Sequence, residues 1–244
     1  MTIGFKTKKE KLLNMTLIAL FAALSYIALM LFFFPFGNMY IHFGNMIVVV
    51  AALLVGGWQG GLAGSVGMGL YDILNGHADS SPKTFLLKFL IGLTVGAVFT
   101  LFANRKKFPA TALFISGIVS LLVAAALGIG VFTGTDFRLQ KSVVMLIFVV
   151  IGIFCVLFSA LKNKFSHKTA SAIVGAACGM VVNLVGEISW KTVQFFIAGA
   201  DISAAFSGAL FSQGSTLINA GISIVGGVAL FTLLEKPFLK LIKE

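Results

Sequence analysis

Long apolar runs, broken by glycine, proline or charge, recur along the whole chain at about 12 to 36, 41 to 56, 58 to 75, 84 to 103, 109 to 133, 142 to 161, 169 to 198 and 214 to 234. A helix rises about 1.5 Å per residue, so runs near 20 residues match the roughly 30 Å hydrocarbon core of a bilayer. The pattern therefore predicts eight membrane helices. The second run is short, and the turn Gly56, Gly57, Trp58, Gln59, Gly60, Gly61 joins it to the third, so the pair also reads as one broken helix. The basic N-terminal residues ahead of an apolar run superficially resemble a signal peptide. Leu12 to Phe36 is too long for a signal core, however, and no small-residue cleavage site follows, so it reads as the first span.

Charge placement supports two helices there. With eight spans, one side of the membrane receives Lys6, Lys8, Lys9, Lys11, Arg105, Lys106, Lys107, Lys162, Lys164, Lys168, Lys236, Lys240 and Lys243, whereas the other receives only Lys83, Arg138 and Lys141. Thirteen basic residues against three place both termini in the cytoplasm by the positive-inside rule.

Composition agrees. Of 244 residues, 59% are hydrophobic and 11% charged, against about 25% charged in an ordinary soluble domain. A soluble enzyme, a nucleic-acid module and a disordered chain are all disfavoured, and the net charge of +10 is explained by topology without a nucleic-acid partner. Eight spans leave no room for an extramembrane domain. Cys155 and Cys178 lie in apolar runs and read as small hydrophobes.

Small residues cluster in two places. Gly56, Gly57, Gly60, Gly61, Gly64, Gly67 and Gly69 form a flat stripe on the third helix, which allows close helix packing; a phosphate loop is the competing reading, but no Lys-Ser/Thr pair ends the run. Ala19, Ala22 and Ala23, with Ser25, form a second patch on the first helix. It suits either packing within the chain or docking of another helix.

Charged side chains within spans cost several kcal/mol, about 3 on insertion scales, so each one is a functional candidate. On the seventh helix Asn183, Glu187, Trp190, Lys191 and Gln194 share one stripe. Glu187 and Lys191 sit four apart and can also simply pair. Tyr71 and Asp72 end the third helix at the same outer depth, Lys88 lies one turn into the fourth, and Gln213, Ser215, Thr216 and Asn219 open the eighth. These groups predict a polar cavity open to the exterior. Trp190 and Tyr71 would stack on a planar ligand, and Glu187, Asn183, Asn219 and Lys88 would hold its hydrogen-bonding edge. The aromatics also suit an interfacial belt, and His42, at the head of the second run, suits a hydrated boundary. No metal-ligand spacing and no catalytic motif is present in the sequence, so nothing in it resembles an enzyme's site, and active transport by this chain would draw its energy from an ion gradient or another subunit.

Taken in order, these features resemble the substrate-binding S component of an energy-coupling factor (ECF) vitamin transporter, nearest the hydroxymethylpyrimidine and pyridoxine branch. The residues that carry the likeness are Ala-Leu-Phe-Ala-Ala (19 to 23), Ile-His-Phe-Gly-Asn (41 to 45), the Gly-rich turn, Leu-Tyr-Asp-Ile-Leu (70 to 74), and Ser-Pro-Lys-Thr followed by Lys88 and Gly92. The resemblance implies an all-α polytopic protein of the bacterial cell membrane with a six-helix core. It divides the single transmembrane domain into core helices one to four (1–105), a two-helix insertion (106–165) and the last two core helices (166–244). It further implies a vitamin-like ligand captured from outside, a loop at Asn75 to Pro82 closing over it, and docking through Ala19, Ala22 and Ala23 onto a scaffold membrane subunit with two ATPases. On that reading the chain holds no cofactor, and its partners use the ATP. A pyridoxine or pyrimidine-like ligand is the first expectation, with nucleosides, queuosine precursors, riboflavin and cobalamin open. The competing class is a self-sufficient secondary transporter coupled through Glu187, Asp72 or Lys191.

Overall fold

The computed structural model describes residues 7–36, 39–133 and 138–243, so Lys6, one of the basic residues used for topology, lies outside the described residues. The first helix, α1 (Lys8–Leu31), opens on a capping box: the Thr7 hydroxyl accepts the Glu10 N–H and the Glu10 carboxylate accepts the Thr7 N–H. It stops short of residue 36. The chain instead forms an antiparallel hairpin of β1 (Phe33–Phe36) and β2 (Met39–His42), with Phe34 opposite Ile41 and Pro35 opposite Tyr40. Pro35 cannot continue the helix, and the aromatic and β-branched residues around it favour an extended backbone.

Seven of the helices that follow match the sequence reading in place: α2 (Gly44–Leu54), α3 (Gly57–Leu74), α4 (Ser81–Ala103), α5 (Ala110–Thr133), α6 (Arg138–Leu161), α7 (His167–Ile197) and α9 (Gly214–Lys243). One short helix, α8 (Ile202–Phe211), was not anticipated; the Asp201 side chain caps it by accepting the Ser203 and Ala204 N–H groups. The last helix also runs beyond residue 234 and through Pro237. The protein is an all-α polytopic membrane protein. Among the described residues six helices, α1, α4, α5, α6, α7 and α9, are long and apolar enough to cross a bilayer, against the eight spans that the apolar runs predict. With 11 residues α2 reaches only about 16 Å. It is buried along most of its length, as is the glycine-rich α3, so both face protein more than lipid.

The chain divides into two compact units. The first comprises residues 1–104, 171–186 and 214–244 and the second 105–170 and 187–213, so the middle of α7 belongs to one and its ends to the other. In the first unit α3 is the central helix. Gly60 and Gly64 lie against Ala52 and Val48 of α2, Gly67 against Ala22 of α1, and Gly57 and Gly61 against Gly96 and Gly92 of α4. The glycine stripe thus brings three neighbours to backbone contact, which lipid alone would not favour. Gly56, at φ +122°, makes the reversal between α2 and α3. The apolar core there gathers Val48, Val49, Leu87, Ile91, Val95, Met180, Val228 and Phe231.

In the second unit α5 and α6 form an antiparallel hairpin. The Ser120 hydroxyl donates to the Phe148 carbonyl and the Ser159 hydroxyl to the Ala110 carbonyl, both at 2.8 Å. Phe158 packs on Phe108, Phe154 and Phe165 near the 3-10 turn Lys162–Lys164. The segment 106–165, read from sequence as an insertion, falls in this unit together with residues 187–213.

Candidate functional site

Helix register decides which polar groups meet. Within the first unit Gly175 lies against Val95 and Phe99, Gly179 against Val95 and Ile91, and Gly186 against Leu87, so α4 and α7 run antiparallel in close contact. That register sets Lys88 opposite Asn183. The Lys88 Nζ donates to Asn183 Oδ1 at 3.0 Å, with Lys88 only 4% exposed and Asn183 2%. A buried ammonium is costly to desolvate and is tolerated when hydrogen-bonded. Beside lipid such a pair marks function by default.

Asn219, on α9, is held differently. Its Nδ2 donates to the Tyr40 carbonyl and its Oδ1 accepts the His42 N–H, each at 3.0 Å. The side-chain amide thus occupies the outer edge of β2 as a neighbouring strand would. Since Tyr40 turns its backbone carbonyl away from β1, Pro35 opposite it sits at a non-hydrogen-bonded pair, where its missing N–H breaks no ladder bond. Asn219 therefore ties α9 to the hairpin.

Asp72 and Tyr71 end α3. The Asp72 carboxylate accepts the Thr84 hydroxyl in the first turns of α4, where the helix dipole favours a negative charge. The Ser81 hydroxyl donates to Gly69 and Ser65 to Phe85, so the connection 75–80 is tied down at its base by side-chain bonds. Gly76, at φ +84°, turns the chain there. Tyr71 meets Tyr26 edge-on, with centroids 5.6 Å apart, and belongs to the apolar core.

The side chains expected to line one cavity are divided between the two units. Asn183, Lys88, Asp72, Tyr71, Ser215, Thr216 and Asn219 belong to the first, and Glu187, Trp190, Lys191, Gln194 and Gln213 to the second. In the second unit the Lys191 Nζ donates to the Ser212 carbonyl at 3.3 Å, joining α7 to the end of α8. The Gln213 Nε2 donates to the Ala209 carbonyl at 2.8 Å, while Gln213 Oε1 and Trp190 Nε1 are enclosed without a hydrogen-bond partner among the described residues. Glu187 is half-buried and Gln194 exposed.

On α1 the small residues separate by face. Ala22 is buried against Gly67, whereas Ala19 and Ala23 are exposed. Among the described residues no group of three or more His, Cys, Asp or Glu is placed to hold a metal. One buried polar residue that sequence reasoning passes over is Asn45, which heads an apolar run and looks like an ordinary helix start. Its only signal is its place in Ile-His-Phe-Gly-Asn.

Residues 9–148 match the model of the family described as ECF-type riboflavin transporter, S component. The match takes in α1 to α5 and the start of α6, so it reaches past the four helices that carry the resemblance and into segment 106–165. No curated protein and no solved structure matches the chain. The chain belongs to the S-component family of ECF transporters, a family of transport subunits and not of enzymes.

Proposed function

We propose that this S component captures a riboflavin-class vitamin, a flat heteroaromatic ring with a hydrogen-bonding edge, at the polar end of the first unit. It then passes the vitamin to a scaffold membrane subunit powered by two ATPases. The observation that carries this reading is the buried Lys88–Asn183 pair, placed by glycine-mediated contact between α4 and α7 at the end of an otherwise apolar core. A site with apolar walls and a few fixed polar groups suits a planar vitamin. The family match favours the flavin over the pyridoxine or pyrimidine-like ligand that the sequence resemblance brings forward.

The remaining assignments follow from the same reading. Ala19 and Ala23, exposed on α1, form the docking surface for the scaffold subunit, and Ala22 supports it from within. The termini are cytoplasmic by the charge asymmetry, which puts the docking half of α1 near the partner ATPases. The connection from Asn75 to Pro82 covers the ligand.

The test is quenching of riboflavin fluorescence by the detergent-purified protein. Stoichiometric binding is expected, weakened about tenfold or more by Lys88→Met, which keeps the length of the stem and removes one charge-assisted bond. A protein that leaves riboflavin unquenched but binds pyridoxine overturns the flavin assignment.

A further inference from the structure

Asn45 is 2% exposed, and its Oδ1 is enclosed without a hydrogen-bond partner among the described residues. Buried carboxamide oxygens in folded proteins are nearly always paired, and an unmade bond carries the desolvation cost of the group. An orphan of this kind calls for an explanation. Asn45 is the second residue of α2, which begins after Phe43 with no side-chain cap, and Gly44 and Asn45 are both buried. The first N–H groups of a helix have no intrahelical acceptor and sit at its positive end. This helix start therefore offers backbone donors beside a side-chain acceptor.

Register places it at the site. Gly60 and Gly64 of α3 meet Ala52 and Val48, while Gly57 and Gly61 meet Gly96 and Gly92, so α2 and α4 run parallel on adjacent faces of α3 and touch each other. Asn45 lies one turn before Val49 on the same helical face, and Val49 shares the core cluster with Leu87, Ile91 and Met180. Lys88 follows Leu87, and Asn183 lies one turn beyond Met180 towards Lys88. The enclosed Asn45 oxygen and the Lys88–Asn183 pair thus stand at the same polar end of the core.

We infer that Asn45 is a specificity residue of this site: its Oδ1 accepts an N–H from the ligand while the first-turn amides of α2 donate to an adjacent ligand carbonyl. The ligand edge this selects is a ring amide or imide, a carbonyl beside an N–H, as in the pyrimidinedione ring of a flavin. Pyridoxine, whose ring carries no amide, does not match it. The inference rests on the proposed flavin-class ligand and sharpens which edge of the ring is read.

The experiment compares riboflavin with 3-methylriboflavin, which lacks the ring N–H, on the purified wild-type protein and on Asn45→Leu. The wild type is expected to prefer riboflavin by about thirtyfold, and Asn45→Leu to lose about that factor for riboflavin while scarcely distinguishing the two ligands. A wild type that binds both equally overturns the inference without any variant and leaves the proposed function standing. Preference retained in full by Asn45→Leu overturns it too, because the N–H is then read elsewhere and a buried water satisfies Asn45. A wild type that binds neither flavin fails the proposed function, and this inference with it.

Discussion

The α3–α4 hairpin of the first unit and the α5–α6 hairpin of the second are assembled from the same parts, apolar helices with glycines at the crossing and serines bonded across it. Their packing is nevertheless different. Gly57 and Gly61 meet Gly96 and Gly92 backbone to backbone, so any Cβ there collides with main chain. In the second hairpin Gly117 faces Val156 and Cys155 as well as the Gly152 carbonyl, and Gly152 faces the Leu121 side chain. The apolar window of α4 is 39% buried and that of α6 only 11%. A hairpin packed against backbone has no side chains that can rearrange, so it holds Lys88 and Thr84 to fixed positions. One packed against side chains, with most of its surface left to lipid, tolerates change.

The largest test of this contrast is Gly92→Ala. A methyl pressed onto Gly61 has nowhere to go, and we expect a loss of about 3 kcal/mol, seen as failure to recover monodisperse protein in detergent. Gly128→Ala in α5, where a Cβ meets only the Met145 thioether, should leave the thermal midpoint unchanged. Equal losses in both variants would break the comparison. Next is Asn219→Leu, which strands the Tyr40 carbonyl and the His42 N–H at a cost of about 2 kcal/mol. Hydrogen exchange at His42 should accelerate about thirtyfold, while amides of α5 and α6 keep their protection. Unchanged exchange at His42 would mean that the hairpin holds itself. The smallest effect is Ser159→Ala, about 0.6 kcal/mol, the usual scale of an interhelical hydrogen bond in a membrane. A larger fall in midpoint would show that the second hairpin relies on its polar bonds as much as the first.

Much of the helix map is legible in the sequence, and the misses are physically specific. Phe33 to Phe36 continues an apolar run, so composition extends the first helix across it; Pro35 and the β-favouring aromatics hold the overlooked signal. Asp201 announces α8 as an N-cap, but ten residues are too few to stand out among longer runs. Pro237 suggests an end to the last helix, yet it removes one hydrogen bond and the helix continues beyond it to Lys243. At the site, Lys88 and Asn183 are conspicuous because polar residues in apolar helices always are. Asp72 and Asn219 are equally conspicuous, but their side chains are engaged in tying the α3–α4 connection and the hairpin.

The sequence by itself determined that the chain is a helical membrane protein, where most of its helices lie, and that one helix carries a glycine stripe for close packing. These follow from local rules, because a chain in lipid must satisfy its backbone within each helix and show apolar residues outside. Only the tertiary structure decided which polar groups share an end of the core. Lys88 and Asn183 are 95 positions apart, and Asn219 lies 177 from His42, so no periodicity along the chain records either meeting. Whether the Asn45 oxygen is satisfied is a property of everything packed around it, and that appears only once the helices have been brought together.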